Sequence, residues 1–155
     1  MFLIEMIYMG ENSEPIFLID SNILVYAYDI THPAKHEKAK ILLEKCWRKQ
    51  KKYAISSQNL AEFFVIITQK VPSPLSIEEA EQIIKDIASF PYWRIIHYDE
   101  QTILKAIFYY KKTKKHFWDS LIAATMLQHG IVHICTENIG DFKNFSELQI
   151  VNPLV

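Results

Sequence analysis

Glycine is scarce in this chain, with 3 among 155 residues. That argues against Gly-rich phosphate loops and against hairpins that depend on Gly-containing turns. Cysteine is rarer still. Cys46 and Cys135 lie far apart and match no zinc-ligand spacing. Cys135 sits in an apolar run and reads as a core thiol, which suits a reducing, cytosolic setting. Arginine occurs only as Arg48 and Arg94. Neither charge sign is in excess, because the formal net charge is −1. Any nucleic-acid contact must therefore come from a local patch or through a metal. Long apolar runs are missing too. The opening MFLIEMIYM is short, with no basic leader and no small-residue cleavage site, so neither a signal peptide nor a membrane span is expected. Residues 1–14 are read as an N-terminal extension and 15–155 as one domain, with no repeat or linker dividing it.

Half of the residues are hydrophobic and 23% are charged, a globular composition. Strand-like apolar runs lie at 16–19, 53–56, 94–97 and 131–136, with a short last one at 149–151. Helical periodicity fills the gaps. In 34–49, Ala39, Leu42, Leu43 and Cys46 recur at i, i+3, i+4 and i+7 behind Pro33. Ser76 and Glu79 form a capping box ahead of Ile83, Ile84 and Ile87. Further helices are expected over 59–69, 100–111 and 119–129, the last closed by Gly130. Strands alternating with helices imply βαβ units, hence an α/β fold whose parallel sheet is covered on both faces. In such sheets ligands gather beyond the carboxyl ends of the strands.

Acids fall at those ends. In IFLIDSNILVYAYD, Asp20 stops the first apolar run, either as a helix N-cap or as part of a site. Glu62 follows the second run, inside QNLAEFFVII, which is apolar on nearly every side and reads as a buried helix; a lone buried Glu needs a partner. Asp119 opens WDSLIAATML. Glu137, Asn138 and Asp141 follow the fourth run, in ENIGDF. Two carboxylates about 4 Å apart repel by roughly 4 kcal/mol at an effective dielectric near 20. With no arginine beside them, converging acids must be protonated or neutralised by a hard cation. Oxygen ligands suit Mg²⁺ or Mn²⁺, and the lack of a nearby imidazole argues against zinc.

FLIDSNILVYA, SSQNLAEFF, WDSLIAATM and TENIGDF resemble the four motifs of PIN domains, in particular VapC-like toxin ribonucleases, and the likeness runs from about residue 16 to VNPL at 151–154. It implies a three-layer α/β/α sandwich around a parallel, five-stranded sheet. It also implies Mg²⁺- or Mn²⁺-dependent cleavage of RNA, an antitoxin partner, a homodimer and a cytoplasmic setting without membrane attachment. Matched by motif, Asp20, Glu62, Asp119 and Asp141 are the catalytic acids, and Asn138 joins them as a metal-site residue. Asn138 is an amide at the fourth acidic position, so it offers a carbonyl but no charge.

Ser21 and Asn22 either orient Asp20 or the scissile phosphate, or cap the next helix. Lys111, Lys112, Lys114 and Lys115 precede Asp119 and make either a solvated helix end or a rim gripping RNA phosphates. Within that group Lys112, Lys114 and Lys115 are the candidate RNA contacts. Phe117 and Trp118 are expected in the core, with base stacking as the alternative. His32 and His36 are spaced for one helix face but lack a third metal ligand, so a surface position is expected. The competing function is a non-catalytic PIN-like module that binds RNA or protein, favoured by Asn138. Phosphoacceptor and haloacid-dehalogenase chemistries fit poorly: Asp20-Ser21-Asn22 offers one acid where each wants two.

Overall fold

The computed structural model describes residues 14–155, so the expectation for the N-terminal extension falls outside the described residues except at Glu14. Five short strands form one parallel sheet: β1 (Phe17–Ile19), β2 (Tyr53–Ser56), β3 (Trp93–Ile96), β4 (His133–Cys135) and β5 (Gln149–Val151). Their order is β3-β2-β1-β4-β5, with β1 central. Leu18 is in register with Ala54 on one side and Ile134 on the other.

Seven helices connect the strands: α1 (Ser21–Tyr28), α2 (Pro33–Trp47), α3 (Ser57–Gln69), α4 (Ile77–Ser89), α5 (Glu100–Thr113), α6 (Phe117–Gln128) and α7 (Ile139–Phe142). Side chains alternate across a strand, and the sequence fills both faces with apolar residues. Ile19, Ile55 and Cys135 join the core beneath α1 to α4. Leu18, Ala54 and Ile134 join the opposite core, under α6 and α7. These two cores make the sandwich three-layered. Ile19 and Leu18 are fully buried, each worth about 1.5–3 kcal/mol relative to exposure.

The expected strands and helices are present with ends displaced by at most two residues; α7, a single turn, was not anticipated. The Ser76–Glu79 capping box forms, with Ser76 Oγ accepting from Glu79 N at 3.1 Å. Cys46 and Cys135 are both buried free thiols.

Gly130 ends the turn after α6 at φ +70°, and nothing lies within 4 Å of where a Cβ would stand. Gly130→Ala therefore tests conformation without a clash. It is expected to cost about 1–2 kcal/mol and to lower the melting temperature by roughly 2–8 °C. A calorimetric scan that leaves the melting temperature unchanged would contradict this.

Candidate active site

The order β2-β1-β4 brings three chain turns together at one edge of the sheet. Asp20 follows β1 directly, and its backbone N–H donates to Cys135 O at 3.0 Å. Its backbone is extended (φ −71°, ψ 156°) and its carboxylate caps α1 by accepting from Ser21 N at 2.8 Å. Oδ1 also accepts from Asn59 Nδ2 at 3.2 Å. Oδ2 accepts from Thr136 Oγ1 at 2.7 Å and Asn22 Nδ2 at 3.3 Å. The residue is 5% exposed. Burial raises its pKa, the hydrogen bonds from Thr136 and Ser21 oppose that, and the charge of Glu62 adds to it; the net displacement is upward.

Glu62 reaches the same place from α3. Ser21 Oγ lies 2.8 Å from Glu62 Oε2 and 3.4 Å from Asp20 Oδ1. A hydroxyl has one proton, so it serves the shorter contact and Glu62 holds it. Glu62 Oε1 accepts from Gln58 Nε2 at 3.0 Å. The expectation that this helix is buried all round is corrected. Of its apolar residues only the stripe Leu60, Phe63 and Ile67 is buried, while Ala61 and Val65 are exposed and Glu62 is half-buried. An all-apolar stretch reads as buried, yet a helix on the outer layer packs only one stripe against the sheet. The outward side walls a groove of about 500 Å³ with Ile66, Lys70, Tyr98 and Trp118.

Asp119 stands in the first turn of α6 and is half-buried. Its pKa is raised to about 6, first by burial and then by the negative charges of Asp141, Asp20 and Glu62, with His116 pulling the other way. Asp141 is carried by α7. Asn138, at the cap of α7, is exposed and makes no side-chain capping bond. Its N–H donates to Thr136 Oγ1 at 3.0 Å, and its carbonyl accepts from Asp141 N at 3.1 Å. Asp119 thus lies within electrostatic reach of the other three carboxylates, and Asp20 within reach of Glu62. Among the described residues none of the four is in an ion pair; the three pairs present are Lys35–Glu137, Arg48–Glu44 and Lys85–Glu81.

The other candidates are placed as follows. Ser21 and Asn22 are inside the hydrogen-bond network, and Asn22 Oδ1 also accepts from Glu137 N at 3.3 Å. Lys112 lies over the Phe108 ring, 4.2 Å from its centroid. Lys114 ends α5 in the left-handed region at φ 50° and is exposed. Lys115 Nζ donates to Gly140 O at 2.7 Å, tying the approach to α6 onto α7. Phe117 packs beside Leu121 and Ala124, but Trp118 is 58% exposed, which corrects the core expectation for it. His32 is exposed and stacks edgewise on Tyr26, while His36 Nδ1 bonds Tyr26 O at 2.9 Å. They form no metal pair.

Several participants escaped the sequence reading. Thr136 is fully buried and bonded to Asp20, Asn22 and Asn138. The one sequence signal of Gln58 and Asn59 is a pair of amides one turn ahead of a Glu. Glu137, one of the acids that follow the fourth run, pairs with Lys35 instead. Burial works upward on its pKa, and hydrogen bonds from Lys35 and Tyr26 outweigh it, leaving it below the ordinary value.

The donor set suits a hard divalent cation, since it is all carboxylate and amide oxygen. Gln58 Oε1, on the amide that holds Glu62, is buried without a hydrogen-bond partner. Among the described residues no group of three or more carboxylates, imidazoles or thiols is placed to hold an ion. The fit is therefore one of donor chemistry.

Comparison with known proteins follows the same lines. A family model described as PIN domain matches residues 17–148. The chain is 23% identical over 142 residues to Ribonuclease VapC24 of Mycobacterium tuberculosis, covering 88% of this chain and 95% of that protein. The fold is similar to that of M. tuberculosis VapC20, a toxin that cleaves the sarcin–ricin loop, with a TM-score of 0.65 at 15% identity over 83% of this chain and 95% of that one. It is also similar to VapBC2 from Rickettsia felis bound to a promoter DNA fragment, with a TM-score of 0.61 at 24% identity over 88% and 98% of the two chains.

Proposed function

The chain belongs to the PIN domain family, and from that premise we propose that it is a metal-dependent endoribonuclease, the toxin of a VapBC-type toxin–antitoxin pair. The observation that carries this is Asp119 crowded by the charges of Asp141, Asp20 and Glu62, with none of the four acids in an ion pair among the described residues. Such an arrangement is costly unless something cationic belongs there. The ribonuclease name of the matched relative supports RNA as the substrate.

Asp20 and Asp119 hold Mg²⁺ or Mn²⁺ in this reading. Glu62 and the Asn138–Asp141 pair hold its waters or a second ion, with Asn138 giving a carbonyl dipole in place of a charge. When bound, the cation activates water for in-line attack and stabilises charge at the phosphorus and leaving oxygen. Thr136 and Asn59 keep the Asp20 carboxylate in one orientation, and Ser21 does the same for Glu62. Lys114 and Lys115 form a phosphate rim, which Lys112 joins by leaving Phe108; Ser21 and Asn22 face the scissile phosphate. Residues 15–155 act as one catalytic domain. It pairs as a homodimer, is blocked by an antitoxin, and works in the cytosol, where its two buried thiols stay reduced. The solved toxin–antitoxin complexes of similar fold support the antitoxin. Among the described residues no helix is long and apolar enough to cross a membrane.

The second reading is a non-catalytic RNA- or protein-binding module, favoured by the amide at Asn138. Calorimetry separates the two, because such a module takes up no Mg²⁺ at millimolar concentration. The direct test incubates the protein with cellular RNA and Mg²⁺, Mn²⁺ or EDTA and maps the new ends. Discrete cuts with either metal and none in EDTA are expected; cuts that persist in EDTA would overturn the metal-dependent reading.

A further inference from the structure

We propose that the adjacent amides Gln58 and Asn59, at the start of α3, are positioning residues: a neutral clamp that holds the carboxylates of the site in place while leaving their charge available to a divalent cation. This rests on the metal-dependent reading above, and deepens it.

Asn59 is fully buried. Its Oδ1 accepts from Ser56 N at 3.2 Å and Ser56 Oγ at 2.7 Å. The Ser56 N–H requires an oxygen there and Asp20 Oδ1 requires a donor, so the amide has one orientation, with Nδ2 aimed at Asp20 Oδ1. Gln58 precedes it and therefore projects about 100° away around the helix. Its Nε2 bridges Glu62 Oε1 and Trp118 O, each at 3.0 Å. Both of those partners are acceptors, so a flipped amide would oppose oxygen to oxygen. One helical turn thus ties together the end of β1, the Glu62 side chain and the residue before Asp119.

The choice of amide has a physical reason. A lysine at 58 would restrain Glu62 more strongly, but its charge would cancel the field that attracts a cation. An apolar residue would leave the half-buried Glu62 carboxylate and the Trp118 carbonyl without that donor. Gln58 itself is 9% exposed and leaves its Oε1 buried without a partner. A residue kept for packing alone would not carry that cost.

The test compares Gln58→Leu, Asn59→Leu and Gln58→Lys with the wild type. Mn²⁺ alone is the probe, read by the electron paramagnetic resonance of free ion, and melting temperatures are taken in EDTA. Gln58→Leu and Asn59→Leu are expected to bind Mn²⁺ at least tenfold more weakly. Gln58→Lys is expected to melt higher than the wild type in EDTA and yet bind Mn²⁺ at least tenfold more weakly. Stability and affinity moving in opposite directions is a signature that a purely structural residue would not produce. Wild-type affinity in Gln58→Leu or in Gln58→Lys would overturn the clamp. A crystal structure of Gln58→Leu grown in EDTA separates the two ideas. Glu62 displaced from Ser21, with a wild type that ignores Mn²⁺, sinks the metal reading and leaves the clamp standing. Glu62 still on Ser21 sinks the clamp.

Discussion

Asp20→Asn is expected to reduce metal-dependent RNA cleavage by about a thousandfold or more, the scale on which removing a group that meets transition-state charge acts, while the protein stays folded. Asn replaces Asp with little change in size and is as good a helix cap, so the bond from Ser21 N survives. Thr136 Oγ1 already accepts from Asn22 Nδ2 and Asn138 N, so its bond to Oδ2 is lost to the new amide. Asn22, which also donates to Oδ2, would likewise meet a donor, although that contact is already long at 3.3 Å. Against these losses stands the removal of a buried charge that no cation compensates. In EDTA at neutral pH the variant should therefore melt at or above the wild-type temperature. Initial cleavage rates with Mg²⁺ or Mn²⁺, paired with circular-dichroism melts, measure both halves. Cleavage at the wild-type rate would remove Asp20 from the chemistry.

The second large effect is a pH dependence that Asp119 imposes. Burial first, and then the charges of Asp141, Asp20 and Glu62, place its pKa at about 6 against an ordinary value of 3.8. Between those values the folded protein keeps a proton that the unfolded chain has released. Stability then falls as pH rises through that window and levels off above 6. A displacement of two units corresponds to about 3 kcal/mol. Partial solvent screening at a half-buried group reduces this to about 1–2 kcal/mol, or roughly 2–8 °C in melting temperature. Asp119→Asn should reduce the slope to the part that Asp20 contributes and raise the melting temperature at pH 7 in EDTA by that amount. Metal binding runs the opposite way, because a cation competes with the proton: wild-type Mn²⁺ affinity should climb as pH rises towards 6 and then plateau. Melts and Mn²⁺ titrations across pH 4 to 8 test both. A wild-type melting temperature that is flat from pH 4 to 6 would exclude the buried, charge-crowded Asp119 described above.

The two sets of residues on the sheet explain how much of the fold was legible in the chain. FLI, the YAI of YAIS and the IC of HIC are consecutive apolar residues, as a strand covered on both faces requires, and β1, β2 and β4 are such strands. Periodicity and caps marked α2, α4 and α5 for the same reason: the pattern that specifies a helix lies within a few turns of itself. Helix α7 was missed because one turn is too short to carry a period. QNLAEFFVII was misread in burial, since apolar content cannot reveal which stripe a neighbour covers. Trp118 was misread likewise.

The four acids were visible because each contrasts with the apolar run beside it, Asp20 and Asp119 at element boundaries and Glu62 within the apolar helix α3. What holds them was not. Thr136 meets Asp20 across 116 positions and Ser21 meets Glu62 across 41. These contacts exist because β1 lies between β2 and β4. Lys112 went to Phe108 and Lys35 to Glu137 for a similar reason: a long side chain settles on whatever surface the packed helices offer it. The sequence by itself determined the strands, the helices and the acids at their ends, because those follow from interactions within a few residues. The tertiary structure alone decided which donors clamp each acid and which cations stay away, because both depend on strand order and helix packing.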